Sequence, residues 1–245
     1  MIEGFLHRGI RPSGCLVGEP TLMAPVTAHK GINAYQCTVT GRAAHSSQTG
    51  QAVNAAEYAA RMIVFIRELA DKLAVEGARD EAFDVPYTTA ATCLVHGGIA
   101  INVIPESCEL VFEYRNLPRV NPQIVIERVQ EFAQQVLLPL MRQRFAGADI
   151  AFEKLAQAPA FEGDEQALIS RRVRELTRTE AVRKVAYATE AGQFQAAGVP
   201  AIVCGPGSIE QAHKADEFVS LEQIGECDVF LRELMTTLTT EEGGR

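Results

Sequence analysis

The chain has 245 residues, of which 47% are hydrophobic and 22% charged, and a formal net charge of −8; this is the composition of one large or two small globular domains with a sizeable core. An acidic chain of this kind repels phosphate backbones and anionic bilayers, so neither a nucleic acid nor a membrane is expected as partner. Apolar runs such as Met62–Ile66 are core-sized and fall far short of the ~20 residues a membrane span needs.

Six cysteines are scattered with no C-x-x-C pair, which reads as reduced, buried thiols in a cytoplasmic protein. Met1 to Gly9 has no apolar stretch of a secretory leader. It reads instead as the last turns of an amphipathic helix ending at Gly9, a residue suited to the position after a helix. With no N-cap before it, the chain reads as starting inside a domain.

Cys15-Leu16-Val17 is a short apolar run expected to form a buried strand, stopped by Gly18-Glu19-Pro20-Thr21. A second strand is expected over Asn33 to Thr40, with Tyr35, Cys37 and Val39 on one face and polar residues on the other. Gly41 to Ser47 breaks that pattern. Apolar residues at helical spacing (Ala55, Ala59, Met62, Ile66, Leu69, Leu73) predict a helix from Ala52 to Glu76. Strands follow at Thr89–Val95 and Cys108–Arg115. A second helix is expected from Pro122 to Arg144, with Asn121 as its N-cap, and then a strand from Ala148 to Leu155.

The order β-α-β-β-α-β is the ferredoxin-like plan. It is assigned to an α+β unit of residues 31–155. Beyond it come a helix over Glu165–Thr177, a short strand, a turn at Thr189–Gly192, a small helix, a buried strand Ala201–Cys204 ending in Gly205-Pro206-Gly207, and a last helix over Leu221–Leu238. These alternating elements suit an α/β layer whose partner is the strand at Cys15–Val17. Residues 1–30 and 156–245 are therefore read as two parts of one α/β domain, with the ferredoxin-like unit inserted between them.

Glu19 follows a buried strand directly, where open α/β sheets place ligands; alone, a Glu before Pro is usually a solvated turn residue. His213 follows the Gly205 strand end in the same way and alone reads as a surface histidine. Together they offer a carboxylate and an imidazole, donors that zinc accepts, but two ligands do not make a site. His45 lies among small residues at a strand end, as a helix-capping histidine or as a donor that something can approach closely. Asn102 is a turn-former or an oxyanion donor. Arg115 ends a strand and could pair with an acid or grip a substrate carboxylate. His7, His29 and His96 have no such setting and read as structural.

Several phrases taken together resemble the M20 metallopeptidase family: Val17-Gly18-Glu19-Pro20-Thr21, Gly41-Arg42-Ala43-Ala44-His45-Ser46-Ser47, Asn102-Val103-Ile104-Pro105, and Gly205-Pro206-Gly207 with Ala212-His213. Phe83-Asp84-Val85-Pro86 and Tyr187-Ala188-Thr189-Glu190-Ala191-Gly192 resemble its acetylornithine deacetylase branch. The resemblance implies a zinc-peptidase-like α/β catalytic domain carrying an inserted ferredoxin-like lid through which subunits form a homodimer. It implies metal-dependent hydrolysis of N-acyl amino acids, N-acetyl-L-ornithine to L-ornithine and acetate foremost, as in arginine biosynthesis. The implied cofactors are two divalent ions, zinc by preference with cobalt or manganese compatible, and Glu19 and His213 would each ligate one. His45 would donate to the tetrahedral oxyanion in the neighbouring subunit, helped by Asn102. Arg115 and the Gly205 loop would hold the substrate carboxylate, while Thr189 and Glu190 would line the pocket, with Glu190 reading an amine.

The family's His-x-Asp motif, bridging carboxylate and Glu-Glu pair do not occur upstream of Glu19. The one adjacent pair is Glu241-Glu242, and Ala215 stands where the branch often has Pro. The metal site is therefore expected to be incomplete, the chain inactive alone, and apolar core of the α/β part exposed. Other readings are another M20 amidohydrolase, such as an aminoacylase or a succinyl-diaminopimelate desuccinylase, and a non-catalytic dimerisation unit.

Overall fold

The computed structural model describes residues 2–179 and 183–242; Met1 lies outside them. In chain order the elements are α1 (Ile2–His7), β1 (Cys15–Val17), β2 (Val26–His29), β3 (Ile32–Thr40), α2 (Ala55–Glu76), β4 (Thr89–Gly97), β5 (Ser107–Arg115), α3 (Ile124–Phe132), α4 (Leu138–Arg144), β6 (Asp149–Ala158), β7 (Phe161–Glu162), α5 (Leu168–Thr177), β8 (Arg183–Val185), α6 (Ala191–Ala196), β9 (Ala201–Val203) and α7 (Leu221–Glu242). They fall into two compact units. One comprises Met1–Gly31, Glu81–Pro86 and Ala158–Arg245, the other Ile32–Asp80 and Tyr87–Gln157.

The second unit is a four-stranded sheet in the order β4-β5-β3-β6, with α2, α3 and α4 contributing to the core on one face. Its strands owe their register to alternation. Tyr35, Cys37 and Val39 of β3 and Cys108, Leu110, Phe112 and Tyr114 of β5 are all buried, while the residues between them face outward, as a sheet with one covered face requires. Met62 and Ile66 of α2 are almost wholly buried against this face, each worth about 2–3 kcal/mol by area. Phe65 stacks on Phe132 at 4.1 Å and joins α2 to α3.

The predicted α2 began three residues too early. Val53 is held extended by exchanging backbone bonds with Arg42, and Asn54 is the actual N-cap, its side chain accepting from the Ala56 N–H at 3.1 Å. The helix expected from Pro122 starts at Ile124, because Asn121 first closes a turn by accepting from the Gln123 N–H. That helix widens into a π turn at Ala133–Leu137, just before Pro139, whose missing N–H cannot continue the ladder. A bulge between Thr92 and Leu94 of β4 leaves Cys93 exposed, unlike the buried thiol expected there.

The first unit is built on a five-stranded sheet in the order β1-β9-β2-β7, with β8 beside β2. Its core is layered from Val17, Val26, Phe161, Ala201 and Val203 on one side and Ile169, Val173, Ile202, Phe230 and Leu234 on the other. β2 and β7 were not expected from the sequence. Segment Glu81–Pro86 also belongs to this unit, with Phe83 buried and bridged to Lys184. α1 ends as expected: Gly9 has φ +75°, and the Gly9 and Ile10 N–H groups donate to the Leu6 and Phe5 carbonyls, a Schellman closure. On α7, Leu221, Val229 and Met235 remain exposed.

Candidate active site

In the first unit, β1 and β9 run parallel, with Val17 opposite Val203, so their C-terminal ends lie side by side. Glu19 leaves one end and Gly205 the other. The two loops are stapled together: the Gly205 carbonyl accepts from the Thr21 and Met23 N–H groups at 3.1 and 2.9 Å, and the Gly207 carbonyl from Leu22 at 2.7 Å. The Thr21 hydroxyl oxygen accepts from the Gly205 N–H at 3.1 Å and its proton goes to the Gly205 carbonyl at 3.3 Å. Glycine is required at 205 because an added Cβ would stand 2.6 Å from the backbone of Gly18 and Glu19. Leu22 and Met23 are both in the left-handed region, at φ 54° and 56°, where non-glycine residues are strained and which marks functional loops.

His213 follows the short 3-10 turn Ile209–Gln211. It too is left-handed, at φ 61°, and its N–H donates to the Glu217 carboxylate at 3.0 Å. Partial burial pushes the Glu19 carboxyl above the ordinary carboxylate range; the nearby Glu190 raises it further, while His213 pulls it down. Glu19, Glu190 and His213 thus share one electrostatic neighbourhood. Tyr187 belongs to it as well: burial raises its pKa, with Glu19 and then Asp84 adding to the rise. A depression of about 420 Å³ lies against these loops, lined by residues including Pro20, Pro206, Glu217 and Phe218.

Thr189 is buried and its hydroxyl oxygen accepts from the Ala191 N–H at 3.1 Å, which sets the first turn of α6 and leaves Glu190 exposed. The Thr189 N–H in turn donates to His29. Sequence reasoning set His29 aside and gave Tyr187 no role of its own. A lone histidine in a run without alternation carries no signal, and Tyr187 could have been singled out only through its place beside Thr189 and Glu190.

In the second unit the structure brings His45 and Asn102 together. The Ser46 N–H donates to the Asn102 carbonyl, the Ile104 N–H to the Ala44 carbonyl, and His45 bridges Val103. His45 Nδ1 lies 2.8 Å from the Ser47 hydroxyl and 3.3 Å from the Ser47 N–H. An N–H can only donate, so Nδ1 is the acceptor and the ring proton of the neutral imidazole sits on Nε2. Arg115 is not part of this group. It ends β5 at the opposite end of the sheet, with Nε bonded to Glu113 at 2.8 Å, and the nine-residue β5 spans about 27 Å at ~3.4 Å per residue. The Asn33–Gln157 contact and the Thr89–Arg115 pairing put the chain's entry to and exit from this unit at the Arg115 end.

Residues 27–140 match the family model of the M20 peptidase dimerisation domain. Over 235 residues the chain is 34% identical to the acetylornithine deacetylase of Pasteurella multocida (strain Pm70), covering 96% of this chain and 59% of that protein. Residues 27–140 are thus an M20 peptidase dimerisation domain, and the chain is similar to M20 hydrolases over nearly its whole length. A second such relative, the acetylornithine deacetylase of Edwardsiella ictaluri (strain 93-146), is 35% identical over 94% of this chain and 57% of its own length. Among solved M20-type folds, the aminopeptidase PepT of Bacillus cereus ATCC 10987 superposes with a TM-score of 0.73 at 16% identity, over 93% of this chain and 57% of that one. A tripeptidase of Staphylococcus aureus gives 0.68 at 18%, over 92% and 57%. The chain therefore spans less than two thirds of the M20 relatives it matches.

The donors near Glu19 do not by themselves fit a catalytic metal ion. Among the described residues no group of three or more His, Cys, Asp or Glu side chains could hold one, whereas a catalytic zinc ordinarily keeps three protein ligands. Glu19 and His213 offer one carboxylate and one imidazole.

Proposed function

We propose that this chain supplies the substrate-binding and oxyanion-stabilising part of an M20 amide hydrolase acting on N-acyl amino acids, N-acetyl-L-ornithine foremost. The observation that carries the reading is the stapling of the Glu19 and Gly205 loops to one another at the ends of adjacent parallel strands, where α/β sheets bind ligands. Glu19 and His213 would each give one ligand to one of two divalent ions, zinc by donor type and cobalt or manganese by compatibility. The Gly205 loop would hold the substrate carboxylate. Thr189 and Glu190 would line the pocket, Glu190 taking the side-chain amine of ornithine.

Hydrolysis adds water across the amide C–N bond and releases a carboxylate and an amine. His45, proton on Nε2, would donate to the oxyanion of the tetrahedral intermediate in a second subunit, with Asn102 beside it. A donor of this kind lowers the barrier by about 3–4 kcal/mol. The homodimer this needs would form through the second unit, whose edge strand β4 exposes Leu94 and Val95. Six free cysteines suit a cytoplasmic setting, and among the described residues no helix is long and apolar enough to cross a membrane.

With two donors present, the 245-residue polypeptide alone is expected to release no measurable acetate. The test is a fusion that places the front of the Pasteurella multocida relative ahead of residue 1, assayed with N-acetyl-, N-succinyl- and long-chain N-acyl amino acids. N-acetylornithine should be the preferred substrate. Preference for a succinyl or long acyl group would refute the substrate assignment, and a folded, metal-loaded fusion with no hydrolysis would refute the reading altogether.

A further inference from the structure

His29 closes β2 and is fully buried. Its Nδ1 lies 2.9 Å from the Lys30 carbonyl oxygen, and its Nε2 lies 3.3 Å from the Thr189 nitrogen. A carbonyl only accepts and a backbone N–H only donates. One protonation state satisfies both contacts: the neutral ring with its proton on Nδ1. An imidazolium would set Nε2–H against the Thr189 N–H. Burial holds the ring's pKa below the ordinary histidine value, against smaller opposing effects of the Lys30 carbonyl and of Glu190. The ring also packs on Phe161 at 5.4 Å between centroids, so a purely space-filling role is the alternative.

The bond to Thr189 crosses from β2 to the turn that opens α6. With its N–H held by His29 and its hydroxyl held by Ala191, Thr189 is pinned on both sides, and Glu190 follows directly. We propose that His29 is a positioning residue: as the neutral Nδ1–H tautomer it pins the Thr189–Glu190 turn and so fixes where the Glu190 carboxylate stands beside Glu19. That this carboxylate then selects substrates bearing a side-chain amine rests on the function proposed above; the pinning itself does not.

The test uses the whole 245-residue chain labelled with ¹⁵N-histidine at neutral pH. Of its five histidines, the one whose signal is lost in His29→Gln should show a protonated Nδ1 and a bare Nε2. A bare Nδ1, or a doubly protonated ring, would overturn the proposal. The second readout is exchange of the Thr189 amide. His29→Phe fills the space and keeps the contact with Phe161 but offers no acceptor, and should speed this exchange about tenfold or more. His29→Gln places an oxygen where Nε2 was and should restore most of the protection. If Phe protects Thr189 as well as histidine does and Gln does not, the ring is a filler and the proposal fails. Should His29→Phe not fold, the tautomer in the unaltered chain and exchange in His29→Gln still decide. Failure of the hydrolase reading would look different: no turnover in the fusion, with tautomer and amide protection intact.

Discussion

Replacing Gly205 by alanine tests the loop-to-loop contact on which the candidate site depends. The new Cβ would lie 2.6 Å from three backbone atoms, the Gly18 carbon and oxygen and the Glu19 oxygen, where ordinary carbon contacts begin near 3.5 Å. No flexible side chain can swing aside, so the loops must part by roughly 1 Å. Overpacking of this kind costs about 1–3 kcal/mol. Parting the loops also weakens the bonds between Thr21 or Met23 and Gly205, each worth about 0.5–1.5 kcal/mol net. A total loss of about 2–4 kcal/mol is expected. Urea unfolding should show it as a lower midpoint with an unchanged slope, in the transition of the unit that holds Gly205. Gly18→Ala is the control in the same loop, since nothing lies within 4 Å of its added Cβ; it should be neutral or stabilise by up to about 1 kcal/mol. If Gly205→Ala is as benign as Gly18→Ala, the two loops are not in the close contact described.

Asn54→Ala removes the N-cap of α2 and should cost about 1 kcal/mol, read from amide exchange at Ala56, with Asn54→Asp restoring it. Because the Glu19 carboxyl is raised above its unfolded value, its stabilising contribution is complete below the ordinary carboxylate range and is lost as pH rises through the raised value. Glu19→Gln should therefore stabilise the chain at neutral pH and flatten the urea midpoint against pH in that window. Leu94→Lys on the exposed edge strand β4 should shift the sedimentation of the proposed homodimer towards monomer at micromolar concentration, with no loss of helix content.

The second unit was readable because each element announces its buried face. Alternation in β3 and β5 and the stripe Ala55, Ala59, Met62, Ile66, Leu69 of α2 fix both the element and its orientation. Boundaries were less legible where a polar side chain closes a turn just before a helix. Asn121 does so ahead of α3, and Asp164 does so ahead of α5, accepting from the Gln166 N–H. β2 escaped notice because all four residues, Val26 to His29, are buried; a strand covered on both faces shows no alternation, and Thr27 and His29 hide even its apolar character. Phe83 gave no hint that its segment packs with residues far along the chain.

The site divides in the same way. Glu19 and His213 each sit after an apolar strand, a pattern visible locally, but their meeting depends on the parallel pairing of β1 with β9 across nearly the whole sequence. The resemblance to M20 proteins supplied that expectation; the parallel pairing of β1 with β9 puts the ends of the two strands side by side. Arg115 could be placed at a strand end but not at which end of the sheet relative to His45, because that follows from the antiparallel pairing of β3 with β5, Thr40 opposite Ser107 and Asn33 opposite Tyr114.

Titration of the ¹⁵N-labelled chain with Mn²⁺ probes most directly whether Glu19 and His213 face one another. Paramagnetic broadening reports even weak, two-donor binding. The amides of Gly18, Glu19 and Thr21 and those around His213 should broaden together at the same metal concentration, and Glu19→Gln should abolish the effect at both places. Broadening at one segment without the other, or at His213 unchanged in Glu19→Gln, would contradict a shared site.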